Sequence, residues 1–120
     1  MRYIQQELEL YYIVPALRRE FAIEMKKRGI KAVEIAKYLG LTKAAVSQYF
    51  SKMRAKEFAF DKESKKEIKE SVDSIITGKN SFSEIQRVVR ILRNNSSICK
   101  FHKKKEHVKG GCDICFQYAK

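Results

Sequence analysis

Apolar residues recur along this chain at spacings of three and four, broken by short polar or glycine-bearing stretches. That rhythm predicts helices rather than strands. Leu17, Phe21 and Met25 stand four apart with Ala16 and Ile23 alongside, so a helix opening at Val14-Pro15-Ala16-Leu17 turns one stripe toward a core. Proline suits its first turn, where a missing N–H costs nothing. Lys26-Lys27-Arg28 fill the last turn and Gly29 is the stop. Upstream, Ile4, Leu8, Tyr11 and Tyr12 predict another helix ending near Ile13.

The next segments are shorter. Val33, Ile35, Ala36 and Leu39 predict a helix over 32–39, with Gly40 behind it. Thr42 is placed to cap a following helix over 43–53, which buries Val46 and either Tyr49 or Phe50. Two short helices joined by a three-residue turn containing Gly make a helix-turn-helix unit. Phe58-Ala59-Phe60 alternates as a short strand or an extended link. Ser64-Lys65-Lys66-Glu67 and Ser81-Phe82-Ser83-Glu84 both have capping-box form. The first precedes Ile68, Val72, Ile75 and Ile76. The second follows a break at Gly78-Lys79-Asn80 and precedes Ile85, Val88, Val89 and Leu92. No internal repeat interrupts this order.

These elements predict an all-α fold: a helical bundle containing the helix-turn-helix, then amphipathic helices, then a small C-terminal metal-binding knuckle. The expected division is 1–57 for the DNA-binding domain, 58–94 for a helical linker or dimerisation region, and 95–120 for the Cys/His tail. A length of 120 residues fits one ordinary domain, or a small domain with an appendage. With 44% hydrophobic residues, one Pro and five Gly, the composition opposes disorder and turn-rich β folds. No run approaches the roughly 18 apolar residues of a membrane span, and no signal-peptide core is legible, so the expectation is a cytoplasmic protein.

Charge sharpens the picture because it is uneven. Residues 18–57 hold 11 basic and 4 acidic side chains, and 81–120 hold 9 and 3, while 58–80 balance at 5 and 5. A basic block is often only a solvated face, and it argues for nucleic acid when a reading element lies inside it. Here one does. If the second helix of the hairpin enters a major groove, it presents Thr42, Lys43, Ala44, Ser47 and Gln48, with Ser51 and Lys52 a turn on. Gln48 suits a bidentate contact to adenine, Lys43 a contact to guanine, and Ala44 or the Thr42 methyl a thymine methyl. Thr42, Ser47, Lys31, Lys37 and Arg54 suit phosphates. Each is otherwise an ordinary exposed polar residue, and a helical hairpin of this spacing also occurs in protein-binding domains.

Val14-Pro15-Ala16-Leu17-Arg18-Arg19 and the run Glu34-Ile35-Ala36-Lys37-Tyr38-Leu39-Gly40-Leu41-Thr42-Lys43-Ala44-Ala45-Val46-Ser47-Gln48-Tyr49 carry a resemblance. They resemble the archaeal predicted transcriptional regulators with a Cro/lambda-repressor-like helix-turn-helix, and the DNA-binding head of archaeal thiamine-responsive repressors. The resemblance covers residues 14–54, and the short Cys-bearing tail is also similar to stand-alone members. It implies sequence-specific DNA binding. Such members often carry a further Cys-x-x-Cys pair upstream of the tail, where this chain has Gln86 and Val89.

The tail has its own chemistry. Cys99-x-x-His102 and Cys112-x-x-Cys115 are two ligand pairs separated by nine residues, with Gly110-Gly111 allowing a tight turn before Cys112. Three thiolates and an imidazole suit Zn²⁺; the same set can hold an iron–sulfur cluster. Lys100, Lys103, Lys104, Lys105 and Lys109 offset the thiolate charge. His107 is a competing ligand, and buried structural thiols are the plain alternative. An odd cysteine count without an export signal is poor material for disulfides. No catalytic constellation or phosphate loop is legible, so the chain is not expected to be an enzyme. The reading is therefore a transcriptional regulator binding double-stranded DNA as a homodimer, with a Cys₃His metal site. The competing class is a metal-stapled helical adaptor for RNA or an acidic protein.

Overall fold

Pro15 cannot donate a backbone hydrogen bond, and its ring crowds the carbonyl four residues back. The helix around it changes pitch just before it arrives. In the computed structural model, which describes residues 4–51 and 58–106, α1 (Gln5–Leu8) runs into a π-helical turn (Glu9–Ile13) and then into α2 (Val14–Lys27). The Val14 N–H reaches back five residues to the Glu9 carbonyl. Residues 5–27 are thus one continuous rod, where the sequence predicted two helices meeting at Ile13. The widened turn keeps Leu8, Tyr12, Ile13, Ala16 and Leu17 all buried.

Gly29 ends the rod at φ 83, and the Ile30 N–H closes it on the Met25 carbonyl at 3.1 Å. Then follow α3 (Ala32–Leu39), α4 (Lys43–Ser51), α5 (Lys62–Ile76), α6 (Ser81–Asn94) and α7 (Ser97–Glu106). The described residues hold no strand. Phe58-Ala59-Phe60 is an extended link whose two rings are buried while Ala59 faces out.

Both predicted capping boxes are displaced. Asp61 caps α5, its carboxylate accepting from the Ser64 N–H at 2.8 Å, and Asn80 caps α6 by accepting from the Phe82 N–H at 2.7 Å. Ser64 and Ser81 are buried inside the first turns instead. The glutamates that the boxes required are engaged elsewhere. One guanidinium, that of Arg87, binds Glu67 at 2.7 Å, Glu84 at 3.1 Å and the Ser71 hydroxyl at 2.7 Å. Burial pushes the Arg87 pKa down, but the hydrogen bonds to Glu67 and Glu84 outweigh it and hold the group above its ordinary value.

The rod forms the middle of the fold. α2 packs against α3, α4, α5 and α6, while α7 lies on α6 and α1. One continuous apolar core runs from Ile13, Leu17, Phe21 and Met25 through Ile35, Leu39 and Val46 to Val72, Val88, Leu92 and Ile98. Each such side chain, when fully buried, stabilises the fold by about 1.5–3 kcal/mol. Polar ties join the same elements: Arg28 binds Asp73, and Arg93 grips Glu9 at 2.7 and 3.1 Å. Bonding to Glu9 raises the Arg93 pKa despite some burial.

Where a knuckle was expected from residue 95 onward, the chain first makes the helix α7. Asn95 accepts from the Ser97 N–H at 3.0 Å, and Ile98 and Phe101 supply an apolar side that packs against the bundle. Residues 107–120, including Cys112 and Cys115, lie outside the described residues, as do Lys52 and Arg54. Among the described residues no helix is long and apolar enough to cross a membrane.

Candidate nucleic-acid interface

The hairpin of α3 and α4 rests on a turn that only a few residues can make. Gly40 adopts φ 66 and ψ 34, and the Leu41 N–H then closes on the Ala36 carbonyl at 2.8 Å. Thr42 follows as expected, its hydroxyl oxygen accepting from the Ala45 N–H at 3.0 Å. The helix α4 therefore starts in a fixed place and direction relative to α3.

Its inner side carries Val46 and Tyr49, both buried, with Phe50 half-buried beside them. Tyr49, rather than Phe50, takes the deeper position, and the Arg18 guanidinium donates to its hydroxyl at 3.2 Å. Phe50 instead lies under the Lys26 ammonium, 5.3 Å from the ring centroid. Both contacts tie α4 to α2. Neither was legible in the sequence, because the partners are far apart along the chain and no local pattern links them.

The outer side carries Lys43, Ala44, Ser47, Gln48 and Ser51, all exposed. They fall at helical spacing on one face, with Thr42 exposed at its N-terminal edge. Ser51 donates its hydroxyl to the Gln48 carbonyl at 3.1 Å, so it serves the helix end as well as the surface. Lys31 is exposed at the N-terminal boundary of α3, where its carbonyl accepts from the Ile35 N–H. Lys37 is exposed next to Glu34, 3.6 Å away. Val33 is 48% exposed on the outer side of α3. Ile35, Ala36 and Leu39 already fill the buried side of that two-turn helix.

The sequence through the hairpin and just beyond it is poor in acidic residues. From Ile35 to Lys56 there is no Asp or Glu, against five Lys or Arg. The first turn of α4 likewise lacks an acidic residue, so no carboxylate within it offsets the positive end of its dipole. Among the described residues, the short polar side chains of Ser47, Gln48 and Ser51 and the cation of Lys43 are exposed on the outer side of α4. An exposed helix of this kind can lie in a groove about 12 Å wide.

The predicted metal ligands divide between described and undescribed residues. Cys99 and His102 sit three apart on α7, so they share a face of that helix. Both are buried, at 9% and 5% exposure, and His102 Nε2 is buried with no hydrogen-bond partner among the described residues. Buried polar atoms nearly always find a partner in protein or ordered water. A thiol and an imidazole are the donors zinc prefers. Among the described residues no group of three or more potential ligands is assembled.

In comparisons with known proteins, no family model, no curated protein and no solved structure matches the chain.

Proposed function

We propose that this chain is a sequence-specific DNA-binding transcriptional regulator whose α4 is the recognition helix. The observation that carries the reading is the outer face of α4, where Lys43, Ala44, Ser47 and Gln48 are exposed together in a stretch free of acidic residues. Gln48 and Lys43 read bases; Thr42, Ser47, Lys31, Lys52 and Arg54 hold phosphates. Two heads on paired half-sites make the working unit a homodimer. The Cys99, His102, Cys112 and Cys115 set completes the proposal as a site for Zn²⁺, with an iron–sulfur cluster as the alternative occupant.

Selection of bound sequences from a random duplex pool tests the reading. The full chain should enrich a two-fold symmetric site, and its affinity should fall steeply with salt as phosphate contacts release counterions. Gln48→Ala should then lose about 1–3 kcal/mol of discrimination at one base pair per half-site, leaving affinity for unselected duplex nearly unchanged. Equal weakening on every sequence would remove Gln48 from base reading. Preference for structured RNA, or no binding at modest salt, would instead favour the helical adaptor.

A further inference from the structure

We infer that the cleft between the Gly40 turn of the helix-turn-helix and the turn joining α5 to α6 binds a small ligand with a flat ring and an anionic group, and that its occupancy weakens DNA binding. The second half of this inference rests on the DNA-binding reading above; the first half does not.

Two glycine turns border the cleft. Gly40 closes α3 at φ 66, and Gly78 follows the end of α5 at φ 117. Among the described residues, a β-carbon at Gly78 would meet nothing within 4 Å, and one at Gly40 would meet only the Phe82 ring. The walls thus lack the side chains that would fill the gap. A cleft of about 330 Å³ stays open between α3 and the start of α6, within the range of small-molecule sites.

Its lining is of two kinds. Phe82, Tyr38 and Ile75 are apolar surface. Phe82 is fixed near the start of α6, where its N–H donates to the Asn80 side chain at 2.7 Å, and its ring is 53% exposed beside Gly40 rather than joined to the core. Tyr38 is half-buried on α3. Lys37 and Lys79 bring two exposed ammonium groups, one from α3 and one from the turn. Lys37 stands 3.6 Å from Glu34 in an exposed pair worth little, so a ligand can take it over. The positive dipole end of α6 lies at the same cleft, and the carboxylate in its first turn, Glu84, is buried and bound by Arg87. Rings beside cations select a planar ring bearing a carboxylate or phosphate: the ring packs on Phe82 and Tyr38, and the anion pairs with the lysines.

The cleft also touches the residue that sets where α4 begins. A ligand that moves the Phe82 ring disturbs the Gly40 turn, and its charge lowers the positive potential around the hairpin. Both effects disfavour DNA.

The full chain, labelled with ¹⁵N, is titrated at constant ionic strength with phenyl phosphate, benzoate, inorganic phosphate and phenol, and its amide NMR shifts are followed. Phenyl phosphate and benzoate should move the amides of Tyr38, Gly40, Gly78, Lys79 and Phe82 saturably, about tenfold more tightly than inorganic phosphate or phenol. The tighter of the two names the anionic group. Phe82→Ala and Lys79→Gln, both at exposed positions, should each weaken that probe about fivefold. Lys62→Gln, at the far end of α5, should leave it unchanged. Saturating probe should weaken a selected duplex about tenfold, and less than about twofold in Phe82→Ala.

Shifts scattered over the exposed lysines, an affinity no better than that of inorganic phosphate, or an equal loss in Lys62→Gln would mean diffuse attraction to a chain of charge +12 and overturns the site. Localised binding that leaves duplex affinity unchanged overturns the coupling and leaves both the site and the DNA-binding reading standing. Localised binding with no duplex bound in either form sinks the DNA-binding reading and with it the regulatory half, while the site stands.

Discussion

Gly40 shows how much one residue decides in this molecule. Its φ of 66 sets the angle at which α4 leaves α3, and a β-carbon there would meet only the Phe82 ring, at an ordinary 3.5 Å. Conformation rather than space is therefore the constraint. Gly40→Ala should cost about 1–2 kcal/mol of stability in urea unfolding, without steric rearrangement around Phe82. The glycine was legible because the hairpin spacing required it. Which apolar residue of α3 stays outside was not legible at the same scale: with four in two turns, the pattern does not say that Val33 is the exposed one. The Arg18–Tyr49 contact spans 31 positions and leaves no trace in either neighbourhood.

Helices were legible as helices, but their first residues were not. Ser64 and Ser81 each matched a capping box, yet Asp61 and Asn80 cap α5 and α6 because Arg87 occupies both Glu67 and Glu84. The competition lies between elements, so no window of sequence around either start contains it. Asn80→Ala should cost about 1 kcal/mol in thermal or chemical unfolding. Ser81→Ala, which leaves the Asn80 amide on the Phe82 N–H, should cost much less; equal losses would return the cap to Ser81. The outer face of α4 was readable for the opposite reason. A nine-residue helix with a defined start has its inside and outside determined once Val46 is buried, so Lys43, Ser47 and Gln48 follow.

Across the whole molecule, the π turn near the start of the rod and the late helix α6 are held together by a pair 84 residues apart. Arg93 on α6 grips Glu9 in the π turn with two hydrogen bonds, and Gln5 adds a third at 2.9 Å. Glu9 is largely buried, so Arg93→Ala leaves a carboxylate without its cation and should cost about 2 kcal/mol at neutral pH, read as a lower unfolding midpoint. The helical class and the basic balance were plain in the composition; this pairing was not, since only the folded rod brings Glu9 to α6. That rod also bears on how the gene can change length. A π turn is an α-helix with one residue inserted, and Leu10, inside it, is 61% exposed. A chain lacking Leu10 should close the turn to a regular helix, keep Leu8 and Ile13 on the buried side, and fold nearly as well. Removing one residue from the middle of α2 instead swings every later core position by about 100° and should abolish folding. Length variants from a single-codon deletion scan, sorted by soluble expression, should therefore survive at Leu10 and be lost at 16–25.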